Sequence, residues 1–134
     1  VRLKALVWIV RPSAAGEPEV LLLRRPERRG GGEHPVTGKA DRGEGAPACA
    51  AREAGEETGL RGELTDLRLV HRYRGNNGDF EEHAFLLRVP ENSEPVLSEE
   101  HTSHRWAPAD DARKALHWPA HLESLDAALK RWRA

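Results

Sequence analysis

Apolar residues fall in short blocks along this chain, and the blocks change from strand-like to helix-like and back. Leu3 to Val10 alternates imperfectly but is rich in Val, Ile and Trp, and Val20 to Arg24 is a short apolar run after a turn containing Pro and Gly. They read as the two strands of a hairpin. Asp66 to Arg74 and Phe80 to Val89 read as a second strand pair around Asn76-Asn77-Gly78-Asp79, a strong turn signal, and His104 to Ala107 as a last short strand. Pro108-Ala109-Asp110-Asp111 opens a short helix to about Leu116, and Pro119 opens a longer one. Leu122, Leu125, Ala128, Leu129 and Trp132 give that helix an apolar stripe. Strands interleaved with helices predict a layered α/β sandwich.

Between the two strand pairs lies a segment of different character, Gly38 to Leu60. Pro47 suits a first helical turn, where its missing N–H is not needed, and Gly59 suits the left-handed position just past a helix end. The helix therefore runs from about Pro47 to Thr58. Thr37-Gly38-Lys39 and Asp41-Arg42-Gly43-Glu44-Gly45 read as a tight loop before it. Small residues at Pro47, Ala51, Ala54 and Thr58 mark the side expected to lie against a sheet. On the other side Glu53, Glu56 and Glu57 stand three and four residues apart, within roughly a quarter turn of one another. Like charges so spaced cost a helix roughly 0.2–0.5 kcal/mol per pair. A divalent cation is the simplest compensation.

At 134 residues the chain is expected to be one domain spanning 1–134, large enough to bury a core without staples. Its net charge is −1, so no global field draws nucleic acid or an anionic membrane, and neither is an expected partner. The longest apolar run, Ala5 to Val10, is far short of a membrane span. A single cysteine, Cys49, excludes an intrachain disulfide and fits the reducing cytoplasm. Cys49 lies one turn before Glu53, where it is either a buried thiol or a neighbour of the metal. The seven histidines show no Cys/His cluster at zinc spacing, and each reads as a surface or core residue. Arg24, Arg25, Arg28 and Arg29 before Gly30 to Gly32 make a basic loop, either phosphate-facing or simply solvated.

The fixed positions Gly38, Glu44, Arg52, Glu53, Glu56, Glu57, Gly59 and Leu60 closely resemble the signature of the Nudix hydrolases, with Ala54 where that family usually has a larger aliphatic. The resemblance implies a Nudix-type α/β/α sandwich with a mixed sheet and a loop-helix-loop catalytic box. It also implies hydrolysis of a nucleoside diphosphate linked to another moiety, with Mg2+ or Mn2+ on the diphosphate. By the same resemblance Glu53, Glu56 and Glu57 are metal ligands, the Gly38 region supplies a backbone carbonyl, and Glu53 also accepts the proton of the attacking water. Arg52 then orients the carboxylates, and Glu44 is either a peripheral ligand or a structural anchor. Arg25, at the end of the Val-Leu-Leu-Leu-Arg-Arg strand, stands where Nudix proteins often carry a phosphate-binding arginine; the alternative is an ordinary strand-end charge.

A general base outside the box has four candidates, Glu81, Glu82, Glu99 and Glu100. His34-Pro35-Val36-Thr37-Gly38, Glu100-His101-Thr102, Arg105-Trp106 and His117-Trp118-Pro119 look like the bacterial dihydroneopterin triphosphate diphosphatase group and related dATP pyrophosphohydrolases. That resemblance favours Glu100. Glu33 and His34 replace the aromatic usual in that group before Val-Thr-Gly, leaving Trp8, Tyr73, Phe80, Phe85 and Trp106 as stacking or core residues. The expected activity is Mg2+-dependent cleavage of a nucleoside or pterin triphosphate to a monophosphate and pyrophosphate. Dinucleoside polyphosphates or nucleotide sugars are the alternative substrates. A non-catalytic nucleotide-sensing module is the remote alternative.

Overall fold

The computed structural model describes residues 1–76 and 78–134. The chain runs β1 (Arg2–Pro12), β2 (Pro18–Arg24), β3 (Glu33–His34), β4 (Val36–Lys39), α1 (Ala46–Thr58), β5 (Glu63–Gly75), β6 (Gly78–Arg88), β7 (Ser103–Pro108), α2 (Ala109–Ala115) and α3 (Pro119–Arg133). A single 3₁₀ turn, Glu27–Arg29, joins β2 to β3.

β1 is the hub of a mixed sheet. It runs parallel to β6 from Arg2↔Phe80 to Val10↔Arg88, and its other edge is shared by two antiparallel partners. β4 takes the N-terminal half (Lys4↔Lys39 to Val7↔Val36) and β2 the C-terminal end (Val10↔Val20). From Ala5 to Val10 the strand is covered on both faces and every residue is buried and apolar, which explains the imperfect alternation of Leu3 to Val10. Ala5, Val7 and Ile9 pack with Cys49, Ala50 and Ala54 of α1, while Leu6, Trp8 and Val10 pack with Leu125, Ala128 and Leu129 of α3. The result is the expected α/β/α sandwich. Trp8 is wholly buried, and its indole N–H donates to Ser124 Oγ at 2.8 Å, so the largest core side chain leaves no polar atom unpaired.

Two expectations need correction. Thr37-Gly38-Lys39 is not loop but most of β4, because the N-terminal half of β1 presents backbone donors and acceptors that need a partner. The buried side of α1 carries Ala46, Cys49, Ala50, Ala54, Glu57 and Thr58, whereas Pro47 and Ala51 are exposed. The helix is rotated from the expected setting so that Glu57 turns toward the sheet edge. Ala54 is 1 % exposed, and its small size lets α1 sit close to β1. The β5–β6 pair extends to Gly75↔Gly78; of the expected turn, Asn77 lies outside the described residues. Among the described residues no helix is long and apolar enough to cross a membrane.

Candidate functional site

α1 ends as its sequence predicts, with Gly59 at φ 71° and its N–H bonded to Gly55 O at 2.8 Å. Glu53, Glu56 and Glu57 on its last two turns line one cleft of about 350 Å³ together with Ser98, Glu99 and Glu100 from the segment before β7. Two backbone bonds bring that segment in: Val96 N–H donates to Thr58 O at 2.9 Å and Ser98 N–H to Glu57 O at 3.2 Å.

Arg52 organises the acids. Its Nε and Nη2 form a fork on the Glu44 carboxylate, both at 2.9 Å, while Nη1 reaches Glu53 Oε1 and Glu56 Oε2, again at 2.9 Å. Nη2 also donates to Lys39 O at 3.0 Å, which ties α1 to the end of β4. A planar guanidinium has donors in fixed directions, so one arginine sets the separation of three carboxylates. Glu44 also accepts the Asp41 N–H at 2.9 Å. The Arg52 bonds foremost, then that N–H, hold its carboxyl down at about 2. Both Glu44 oxygens are thereby committed.

Gly38 explains itself by proximity. A Cβ there would overlap the carboxyl group of Glu53. The absent side chain lets the helix carboxylate lie on the strand backbone. Gly38 O accepts a bond from Cys49 Sγ at 3.6 Å, and burial pushes that thiol up to about 11. Cys49 is a buried, un-ionised neighbour of the site.

Glu57 is 3 % exposed, and its Oε2 has no hydrogen-bond partner among the described residues. Burial, then the adjoining Glu53 and the charge of Glu100, push its carboxyl up to about 9. Its Oε1 lies 3.8 Å from His101 Nε2. One potential ligand atom from each of Glu57, Glu100 and His101 falls within 4.8 Å of the others. An orphaned buried carboxylate oxygen, bordered by further carboxylates, fits a hard divalent cation. Sequence reasoning set every histidine apart from the site. The structure brings His101 against Glu57, and the only local sign was its position after Glu100.

A second hollow of about 590 Å³ lies on the α3 side of the sheet, lined among others by Lys4, Arg25, Thr37, Tyr73, Glu82 and Trp118. Arg25 lines this cavity and donates to Thr37 Oγ1 at 3.4 Å. His34 also borders this hollow and lies against the His101 ring at 4.9 Å; burial first, then Arg25, hold it down at about 3. Arg28 and Arg29, by contrast, sit exposed on the 3₁₀ turn. Of the four outside acids, Glu99 and Glu100 border the cleft, Glu82 borders the cavity, and Glu81 pairs with Arg72 and His83. Of the aromatic candidates, Trp8, Phe80 and Phe85 are buried, Trp106 lies under the Arg11 guanidinium at 4.1 Å, and Tyr73 borders the cavity.

The chain is similar to known proteins along almost its whole length. It is 34 % identical over 116 residues to an octanoyltransferase of Myxococcus xanthus, a match covering 84 % of this chain and 32 % of that protein. The chain thus spans about a third of the length of that curated relative. Among solved structures, an Ap4A hydrolase of C. elegans superposes with a TM-score of 0.85 at 24 % identity, covering 99 % of this chain and 98 % of that one. The E. coli dihydroneopterin triphosphate pyrophosphohydrolase superposes with a TM-score of 0.76 at 21 % identity, covering 96 % and 95 %. At these identities the two likenesses establish the fold. The family model described as NUDIX domain matches residues 2–128, and the chain belongs to the NUDIX family.

Proposed function

We propose that this NUDIX pyrophosphohydrolase uses Mg2+ or Mn2+ to cleave a phosphoanhydride of a nucleoside or pterin triphosphate, giving a monophosphate and pyrophosphate. The observation that carries the reading is the adjacency of an aromatic-edged cavity, lined by Arg25 and His34, to the acid cleft: the His34 ring lies 4.9 Å from that of His101, whose Nε2 is 3.8 Å from Glu57 Oε1. A heterocycle in the cavity directs its phosphates past Arg25 toward the carboxylates.

We assign Glu53, Glu56 and Glu57 as metal ligands, with the Gly38 carbonyl beside them. Such a cation, when bound, supplies neutralisation of phosphate oxygens and acidification of water. Arg52 keeps the carboxylates at their separations, and Glu44, with both oxygens committed, supports the reading of anchor over ligand. Glu100, with a carboxylate oxygen within 4.8 Å of one on Glu57, is the assigned acceptor of the water's proton, with Glu53 the second candidate. Arg25 binds substrate phosphate. The near-neutral chain acts on this small molecule in the cytoplasm, without nucleic acid or membrane as partner.

His34-Pro35-Val36-Thr37-Gly38 and Glu100-His101 support the triphosphate group with its pterin and dATP members. The alternative is a dinucleoside polyphosphate or nucleotide sugar. The C. elegans and E. coli relatives carry one fold under names that specify different substrates, so fold alone does not choose between them. Incubation with triphosphates, dinucleotides and sugar nucleotides, with products identified, tests the assignment. Pyrophosphate from triphosphates supports it; cleavage of dinucleotides or sugar nucleotides alone selects the alternative. Saturable binding with no hydrolysis at any Mg2+ or Mn2+ level selects a nucleotide-sensing module. Glu57→Gln is expected to lose at least about 100-fold in turnover, and full turnover in that variant would overturn its assignment as ligand.

A further inference from the structure

Glu82 is a buried carboxylate with acceptor capacity to spare. It is 7 % exposed, stands on β6 opposite Lys4 of β1 and His71 of β5, and lines the 590 Å³ cavity. Its contact with a cation is Lys4 Nζ at 3.8 Å, beyond hydrogen-bond length, and that ammonium donates instead to Tyr73 Oη at 2.9 Å. A carboxylate has about four lone-pair directions, and those of Glu82 take no hydrogen bond from a side chain among the described residues.

The rim of the same cavity carries flat apolar surface. Val1, Tyr73, Val96 and Trp118 are the large hydrophobic side chains left exposed, and both aromatics among them border this hollow. Tyr73 is backed by Phe80, with ring centres 5.5 Å apart and planes inclined by 21°. Exposed rings beside a buried acceptor suit a planar heterocycle that stacks and donates.

We infer that Glu82 is the specificity-determining residue of this cavity, accepting the paired N–H and N–H₂ donors of a 2-amino-4-oxo heterocycle, the edge shared by guanine and pterin. Two parallel N–H bonds to one carboxylate form a bidentate, charge-assisted pair. Adenine offers an amino group beside a bare ring nitrogen, whose lone pair opposes the second oxygen. Uracil offers one N–H between two carbonyls. Each leaves part of the buried carboxylate unpaired, which is how a polar pocket rejects the wrong ring.

This inference rests on the triphosphate reading. The experiment measures kcat/KM for GTP, dihydroneopterin triphosphate and ATP with wild type and Glu82→Gln, and direct binding of the α,β-methylene analogues of GTP and ATP to wild type. One or both 2-amino-4-oxo substrates should exceed ATP by about tenfold or more, the scale of one bidentate base contact, and Glu82→Gln should bring that ratio to within about threefold. Equal use of all three by wild type, or an unchanged ratio in the variant, overturns the role of Glu82 while leaving the hydrolase reading intact. Absence of triphosphate hydrolysis refutes the reading beneath it. The analogues then decide the pocket alone: tighter binding of the guanine analogue supports Glu82, and equal binding overturns it.

Discussion

Gly38 and Glu53 occupy one space: the Glu53 carboxyl lies where a side chain on residue 38 would be. This contact joins β4 to α1 and makes the glycine a requirement of the cleft rather than of a turn. Gly38→Ala forces either the carboxylate or the strand to move. The expected outcome is a loss of about 1–3 kcal/mol in stability from overpacking. Displacing Glu53 by about 1 Å should lower turnover about 100-fold. Thermal unfolding and steady-state kinetics on the same preparation check both, and a variant with unchanged turnover would mean that Glu53 has no positional role.

Arg52→Lys tests the guanidinium rather than its charge. A lysine keeps the positive charge but cannot fork onto Glu44 while reaching Glu53 and Glu56. Mn2+ affinity, measured by titration calorimetry without substrate, should weaken about 10–100-fold, as for other partners that orient metal ligands. The melting midpoint should fall by roughly 3–6 °C. Unchanged Mn2+ affinity would show that the acids hold their places unaided.

How much of this was legible in the sequence follows from how local each feature is. α1, its left-handed stop at Gly59 and its three acids are set by residues within one segment, and the structure has them within a residue of the expected ends. β4 was not legible, because Val36 to Lys39 becomes a strand only when the N-terminal half of β1 needs a partner. The rotation of α1 escaped for a similar reason: small residues on two sides of the helix left the buried side to be chosen by the sheet. His101 reaches Glu57 through the Ser98 N–H to Glu57 O bond, a contact between segments that no periodicity announces. The cavity is likewise assembled from β1, β3, β4, β5, β6, Arg25 after β2 and the start of α3.

His121 makes stability depend on acid. Burial foremost, then the charges of Arg25, His71 and Lys4, hold it down at about 4, and its Nδ1 has no partner among the described residues. With a folded value below the ordinary one, the unfolded chain binds the extra proton, so stability rises with pH through this window. The contribution is complete above about pH 6.5 and is lost as pH falls toward 4. Allowing for partial exposure, the loss is roughly 1–3 kcal/mol. Urea unfolding of wild type and His121→Phe at pH 7.5, 6, 5 and 4.5 should give a shallower slope in the variant; parallel curves would show that His121 does not titrate.

Arg11 fastens the segment that carries Glu100. Its Nη1 donates to Ser93 O at 2.6 Å and Glu94 Oε1 at 2.7 Å, Nε holds Glu19 at 2.9 Å, and the guanidinium lies over Trp106, whose indole N–H also donates to Glu94 Oε1, at 2.8 Å. Those contacts hold residues 93 and 94, which follow β6, beside the end of β1, and the Val96 and Ser98 amides then carry the chain onto α1. Arg11→Gln keeps one polar group but loses the fork and the stacked cation. Faster hydrogen exchange at Val96 and Ser98 is expected, with a fall of about tenfold in kcat from misplacement of Glu100. Arg88→Gln is the control, since Arg88 donates to the carbonyls of Trp132 and Arg131 at the end of α3, away from this segment. It should lower stability without changing exchange at Val96 and Ser98. Equal kinetic loss in both variants would reduce the Arg11 effect to general destabilisation, whereas loss in Arg11→Gln alone assigns Arg11 to positioning the segment that carries Glu100.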